Sequence, residues 1–127
     1  AQGVELDSYY ARAYRGRGAA YSWLGEHERA ITDYNKAIEL DPEFAEAYKG
    51  RGDSYTWLDE WERAITDYNK AIELDPEFAE AYFERGSAYS WLKEYQRAIA
   101  DYNRVLNLTD DPDIVEAAED ALEHLRE

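Results

Sequence analysis

His27 and His124 are the only side chains in this sequence whose ordinary pKa lies near neutrality, and no cysteine accompanies them. A serine or threonine nucleophile would need one of them as an adjacent base, with a third group to orient it. His27 falls in a polar break between two apolar stripes and His124 near the far end of the chain, and nothing in the pattern brings them together. No phosphate-cradling Gly-rich loop, EF-hand loop or thiolate zinc spacing is present. Paired acids such as Asp110-Asp111 fit loop solvation and N-capping. The chain is therefore expected to be no enzyme and to require no cofactor or metal.

What remains is recognition chemistry. The sequence carries 14 Lys+Arg against 29 Asp+Glu, a net charge of −15, which disfavours nucleic acid and anionic membranes as partners. Trp23, Trp57 and Trp91 recur every 34 residues and supply rigid aromatic area for a partner. The alternative is that each indole folds over the neighbouring helix and the following Leu24, Leu58 or Leu92 as packing. Arg12, Arg15 and Lys49 stand toward the N-terminal side, whereas Glu46, Asp53, Glu80 and Glu84 follow, with Phe83 among them. A peptide lying along these positions, a basic or aromatic-containing segment, would direct its basic residues toward the C-terminal half. No apolar run reaches the roughly 20 residues of a membrane span, and Ala1-Gln2-Gly3 is no leader, so a soluble, cytoplasmic protein is expected. The absence of methionine, even at the first position, is read as a processed start.

These positions are set by repetition. Residues 28–48 read ERAITDYNKAIELDPEFAEAY and residues 62–82 read the same 21 residues; QRAIADYNRVLNL at 96–108 is a third copy. The chain divides into repeats 7–40, 41–74 and 75–108 with a tail at 109–127, within one domain spanning 1–127. In the middle unit Phe44, Tyr48, Tyr55 and Leu58 mark a first helix, with Asp41 as N-cap before Pro42. After a break at Asp59-Glu60, the residues Trp61, Ala64, Ile65, Tyr68, Ala71 and Ile72 mark a second. Trp61, in a place shared with His27 and Tyr95, is expected in the core. Val4-Glu5-Leu6-Asp7 copies Ile38-Glu39-Leu40-Asp41 and predicts the remnant of a preceding second helix. In the tail, Ile114, Ala117, Ala118, Ala121, Leu122 and Leu125 face one way and Glu116, Glu119, Asp120 and Glu123 the other, which predicts a capping helix.

The unit resembles the tetratricopeptide repeat (TPR). Tyr14/Tyr48/Tyr82, Gly18/Gly52/Gly86 and Tyr21/Tyr55/Tyr89 occupy the aromatic, small and aromatic places of the first helix. Ala30/Ala64/Ala98, Tyr34/Tyr68/Tyr102, Ala37/Ala71 and Pro42/Pro76 occupy those of the second. Val105 in the last small place and the delayed Pro112 indicate that the array ends there. The resemblance implies an all-α, right-handed superhelical solenoid of three hairpins plus the cap, and a non-catalytic scaffold that binds protein or peptide along a concave groove lined by the first helices. The groove residues are then Arg12, Arg15, Trp23, Glu46, Lys49, Asp53, Trp57, Glu80, Phe83, Glu84 and Trp91. The tryptophan place is usually polar in the family. Similar domains hold the terminal carboxylate of heat-shock chaperones with Lys and Asn in the first hairpin, Asn in the second, and Lys with Arg in the third. Arg15, Ala19, Gly50, Glu80 and Glu84 stand there instead, so two carboxylates would repel such a ligand.

Arg17, Arg51 and Arg85 replace a usual leucine. Sharing their period with Asp33, Asp67 and Asp101, they predict ion pairs within the array. Asn35, Asn69 and Asn103 recur as structural residues. The near-identity of the copies suits a recent duplication or an engineered, idealised array with no dedicated ligand. Tyr9 and Tyr10, exposed at one end, would let such an array be monomeric or associate weakly end to end.

Overall fold

The computed structural model describes residues 2–126, with the side chains of residues 2 and 4 left aside; Ala1 of the leader reading and Glu127 of the cap lie outside the described residues. Seven helices follow one another: α1 (Gln2–Trp23), α2 (His27–Leu40), α3 (Ala45–Trp57), α4 (Trp61–Leu74), α5 (Ala79–Trp91), α6 (Tyr95–Leu108) and α7 (Pro112–Arg126). They pair as the hairpins α1/α2, α3/α4 and α5/α6, and α7 closes the end against α6.

Each hairpin closes on a ring in a slot. Ala30, Tyr34 and Ala37 of α2, with their equivalents in α4 and α6, are buried. The tyrosines lie against glycines of the partner helix: a β-carbon at Gly52 would stand 2.7 Å from Cε1 of Tyr68. Any side chain there would push the two backbones apart. In α7, Ala118 and Leu122 are buried, and Ile114, Ala121 and Leu125 join them against Ala98, Tyr102 and Val105. The acids Glu116, Glu119, Asp120 and Glu123 remain in solvent.

Two turn types alternate. Within a hairpin the chain reverses through a left-handed residue, Gly25 (φ 79°), Asp59 (φ 60°) or Lys93 (φ 64°), and the N–H of Glu26, Glu60 or Glu94 donates back to the carbonyl of Tyr21, Tyr55 or Tyr89 at 2.9 Å. Between hairpins, Asp41 accepts the N–H of Glu43 at 3.1 Å and the Tyr48 hydroxyl donates to the Pro42 carbonyl at 3.0 Å. The sequence reading needs correction here. Asp41 caps a turn rather than the helix, and α3 begins three residues beyond Pro42, at Ala45. At the end of the chain the reading holds, since Asp111 accepts the N–H of Asp113 at 3.0 Å where α7 starts.

A second correction concerns the start. Val4 to Asp7 form no remnant of a preceding hairpin, because α1 runs unbroken from Gln2 to Trp23. Ser8 stands where Pro42 and Pro76 break the later copies, so nothing interrupts the helix.

The Arg–Asp pairs form as expected. Each is bidentate: Arg17 to Asp33 at 2.8 and 2.8 Å, Arg51 to Asp67 at 2.8 and 2.7 Å, and Arg85 to Asp101 at 2.8 and 2.7 Å. Arg51 also donates to Asn35 at 2.9 Å, and Arg85 to Asn69 at 2.8 Å, so each guanidinium joins its own hairpin to the preceding one. No described hairpin precedes that of Arg17, and its side chain is 60% exposed, against 22% and 20% for the other two.

Candidate functional site

Helix α1 touches α3, α3 touches α5 and α5 touches α7, whereas α2, α4 and α6 stay apart. The odd-numbered helices therefore line the inner curve of the array. Between them lies a groove of about 820 Å³. Its floor and walls hold Arg15 and Trp23 from α1; Glu46, Lys49, Asp53 and Trp57 from α3; and Glu80 and Glu84 from α5. Eight of the expected groove residues thus meet in one cavity.

Three others do not line it. Arg12 is exposed elsewhere on α1. Phe83 packs on the Tyr102 ring at 5.5 Å and joins the apolar cluster under the cap, because the last hairpin meets α7 on that side. Trp91 stacks on Trp61 beyond the cavity, with ring centroids 5.3 Å apart. This also corrects the reading of Trp61, which is only half-buried, as a platform for Trp91 rather than a core residue. His27 serves Trp57 in the same way, the rings lying 5.5 Å apart and within 4° of parallel. The tryptophans remain 91%, 71% and 69% exposed in chain order, with one indole face of Trp57 and of Trp91 supported and the rest open.

The charges form a connected chain. Lys49 lies 2.7 Å from Asp53, which also accepts the Tyr68 hydroxyl at 2.6 Å; Thr56 lies 3.2 Å from the same hydroxyl. Burial pulls the Lys49 ammonium down, but Asp53, with Glu84 and Glu80, outweighs it and holds the group above its ordinary value. Burial and the Asp53 charge drive the Tyr68 hydroxyl far up. Glu84 has no ion-pair partner among the described residues. Burial and the nearby Asp53, partly offset by Lys49, push its carboxyl up to about 7.

Sequence reasoning missed Tyr34, His27 and Phe78, which also line the groove. Tyr34 is 3% exposed and is pushed up to about 12 by burial and the Asp53 charge. The equivalent hydroxyls have partners, Tyr68 with Asp53 and Tyr102 with Ser87 at 3.1 Å. Ala19 occupies that place in the first hairpin, leaving the Tyr34 hydroxyl without a partner among the described residues. The signal was legible in the column Ala19/Asp53/Ser87, but only with the tyrosine column set beside it.

The profile described as "Tetratricopeptide repeat" matches residues 11–44 and 79–108, and one described as "TPR repeat" matches residues 52–90. The chain belongs to the tetratricopeptide repeat family. Among solved TPR structures, the first TPR of Spaghetti (RPAP3) bound to the HSP90 peptide SRMEEVD is similar, with TM-score 0.88 and 28% identity over 94% of this chain and 92% of that one. The second TPR domain of human RPAP3, in complex with the HSP70 peptide SGPTIEEVD, aligns with TM-score 0.84 and 26% identity over 98% of each chain. The TPR2B domain of yeast Sti1, in a TPR2B-domain:pHsp70 complex, gives 0.83 and 29% over 93% and 94%. No curated protein sequence matches the chain. No described helix of this TPR array is long and apolar enough to cross a membrane.

Proposed function

We propose that this TPR array is a non-catalytic scaffold that holds an extended segment of a partner protein in the groove between α1, α3 and α5. The observation that carries the reading is the groove itself: an open cavity of about 820 Å³ with Trp23 and Trp57 at its edge, each more than two-thirds exposed. Large, exposed and rigid aromatic rings are the residue type on which binding energy concentrates. The TPR domains of RPAP3 carry acidic peptides ending in EEVD. In the present groove Lys49 is already paired with Asp53, and among the described residues the unpaired charges are Arg15 on the α1 side against Glu46, Glu80 and Glu84 on α3 and α5. The favoured ligand is accordingly a basic segment with aromatic residues, its cations toward α5.

Titration of blocked nonapeptides, one rich in arginine and tyrosine and one in glutamate and tyrosine, tests this by tryptophan fluorescence. The basic peptide is expected to bind at least about tenfold more tightly, less so in high salt, with Trp57→Ala weakening it about tenfold. Equal binding of the acidic peptide, or an unchanged affinity in Trp57→Ala, would overturn the reading.

A second reading is favoured by the exposure of Leu6, Tyr9 and Tyr10 along α1, which offers an apolar face for end-to-end association of a ligand-free array. Light scattering over a concentration series separates the two: a constant monomer mass removes the second.

A further inference from the structure

Besides the Arg15 Nε of α1 and the His27 Nδ1 of α2, which are buried in the lining without hydrogen-bond partners, two polar groups from different helices open into the groove unpaired. Glu84 of α5 is a half-buried carboxylate that forms no ion pair among the described residues, the nearby Lys49 being paired with Asp53, and the Tyr34 hydroxyl of α2 is the one member of its column without a partner among the described residues. Both line the same groove as Asp53 of α3, whose charge acts on each. Resting on the proposed function, we propose that this part of the groove is a socket for a single lysine or arginine side chain of the bound peptide, with the Glu84 carboxylate as its counter-ion and the Tyr34 hydroxyl donating to a peptide carbonyl.

The surroundings of Glu84 make it the open acceptor. From α3, Lys49 faces it but is committed to Asp53 at 2.7 Å, and Asp53 repels it. From α4, the Tyr68 hydroxyl donates its hydrogen bond to Asp53 rather than to Glu84. On α5 itself Glu80 adds negative charge and Arg85 turns to Asp101 of α6. Arg15 of α1, in the same lining, acts on Tyr34 but not on Glu84, and no charged group of α6 or α7 acts on Glu84. A ligand cation restores the missing partner, and the occupied socket requires the ionised carboxylate. Near neutrality Glu84 holds a proton for part of the time, so seating the cation releases that proton to solvent.

The test uses two blocked nonapeptides of alanine and tyrosine, one with a central lysine and one with norleucine in its place. Calorimetry in phosphate and in Tris counts the protons released. The lysine peptide is expected to release about half a proton at pH 7 and to gain about tenfold in affinity from pH 6 to pH 8. The isosteric variant Glu84→Gln is expected to lose the proton release, the pH dependence and the preference for lysine over norleucine, while keeping the far-UV circular dichroism of the parent. Lysine binding that ignores pH, norleucine binding as tight as lysine, or full retention of the preference in Glu84→Gln would overturn the socket and leave the peptide-binding groove standing. Failure of both peptides to bind the parent protein would overturn the groove reading, and the socket with it.

Discussion

Gly16 and Gly50 occupy the same place in successive hairpins, yet alanine should act on them in opposite directions. A β-carbon at Gly16 meets nothing within 4 Å, so Gly16→Ala in the middle of α1 is expected to gain the ordinary helix-interior preference, about 0.5–1 kcal/mol. At Gly50 the same carbon falls 2.5 Å from Cζ, 2.6 Å from Cε1 and 2.8 Å from the hydroxyl of Tyr34. The ring has little room to withdraw, since Gly18 lies against it as well, so closely that a β-carbon there would stand 3.1 Å from Cε1 and 3.2 Å from the Ala30 carbonyl oxygen. Overpacking of this kind costs about 1–3 kcal/mol, which is the expected separation between the two variants. At roughly 2.1 cal/mol/K of unfolding entropy per residue, that separates their melting temperatures by about 4–11 °C. Thermal and urea unfolding, followed by circular dichroism, measure it. A Gly50→Ala protein as stable as Gly16→Ala would refute the claim that the Tyr34 ring is held in a slot between two glycines.

Three further outcomes are expected. Because Glu84 titrates at about 7 in the folded chain against its ordinary 4.5, the native state holds its proton more tightly, and stability falls as pH rises through that window and levels off above it. The full shift corresponds to about 3 kcal/mol, reduced to about 1–2 by solvent in the open groove; Glu84→Gln should therefore melt progressively above the parent between pH 5 and pH 8, and parallel curves would contradict it. Lys93→Gly relieves a left-handed residue where Gly25 shows the unstrained choice, and should raise stability by about 1 kcal/mol in urea unfolding. Arg51→Ala strands the buried Asp67 and should cost about 3 kcal/mol or more, whereas Asn35→Ala, which removes only the bond between hairpins, should cost about 1 kcal/mol.

The residues that fixed the hairpins were legible because their signal repeats: Tyr34, Tyr68 and Tyr102 announce one packing environment three times, and the Arg–Asp columns announce one ion pair three times. The start of α1 misled because a likeness in Val4 to Asp7 outweighed the loss of the proline that does the breaking. Phe83 carried groove periodicity but sits under the cap, and Trp91, although stacked on Trp61 as Trp57 is on His27, belongs to the last described hairpin; periodicity holds no information about a neighbour that differs. The Tyr34 hydroxyl stayed hidden for the same reason. Its freedom comes from Ala19 in another helix, a relation across space rather than along the chain.

The guanidinium that grips an aspartate in its own hairpin and an asparagine in the one before has a bearing on how the molecule comes apart. Arg51 and Arg85 are stitched on both sides, while Arg17 at one terminus and the exposed Asn103 at the other each hold half a stitch. Loosening should travel inward from both extremities, so that amide protons of α3 and α4 are the last to exchange with deuterium and the outermost turns the first.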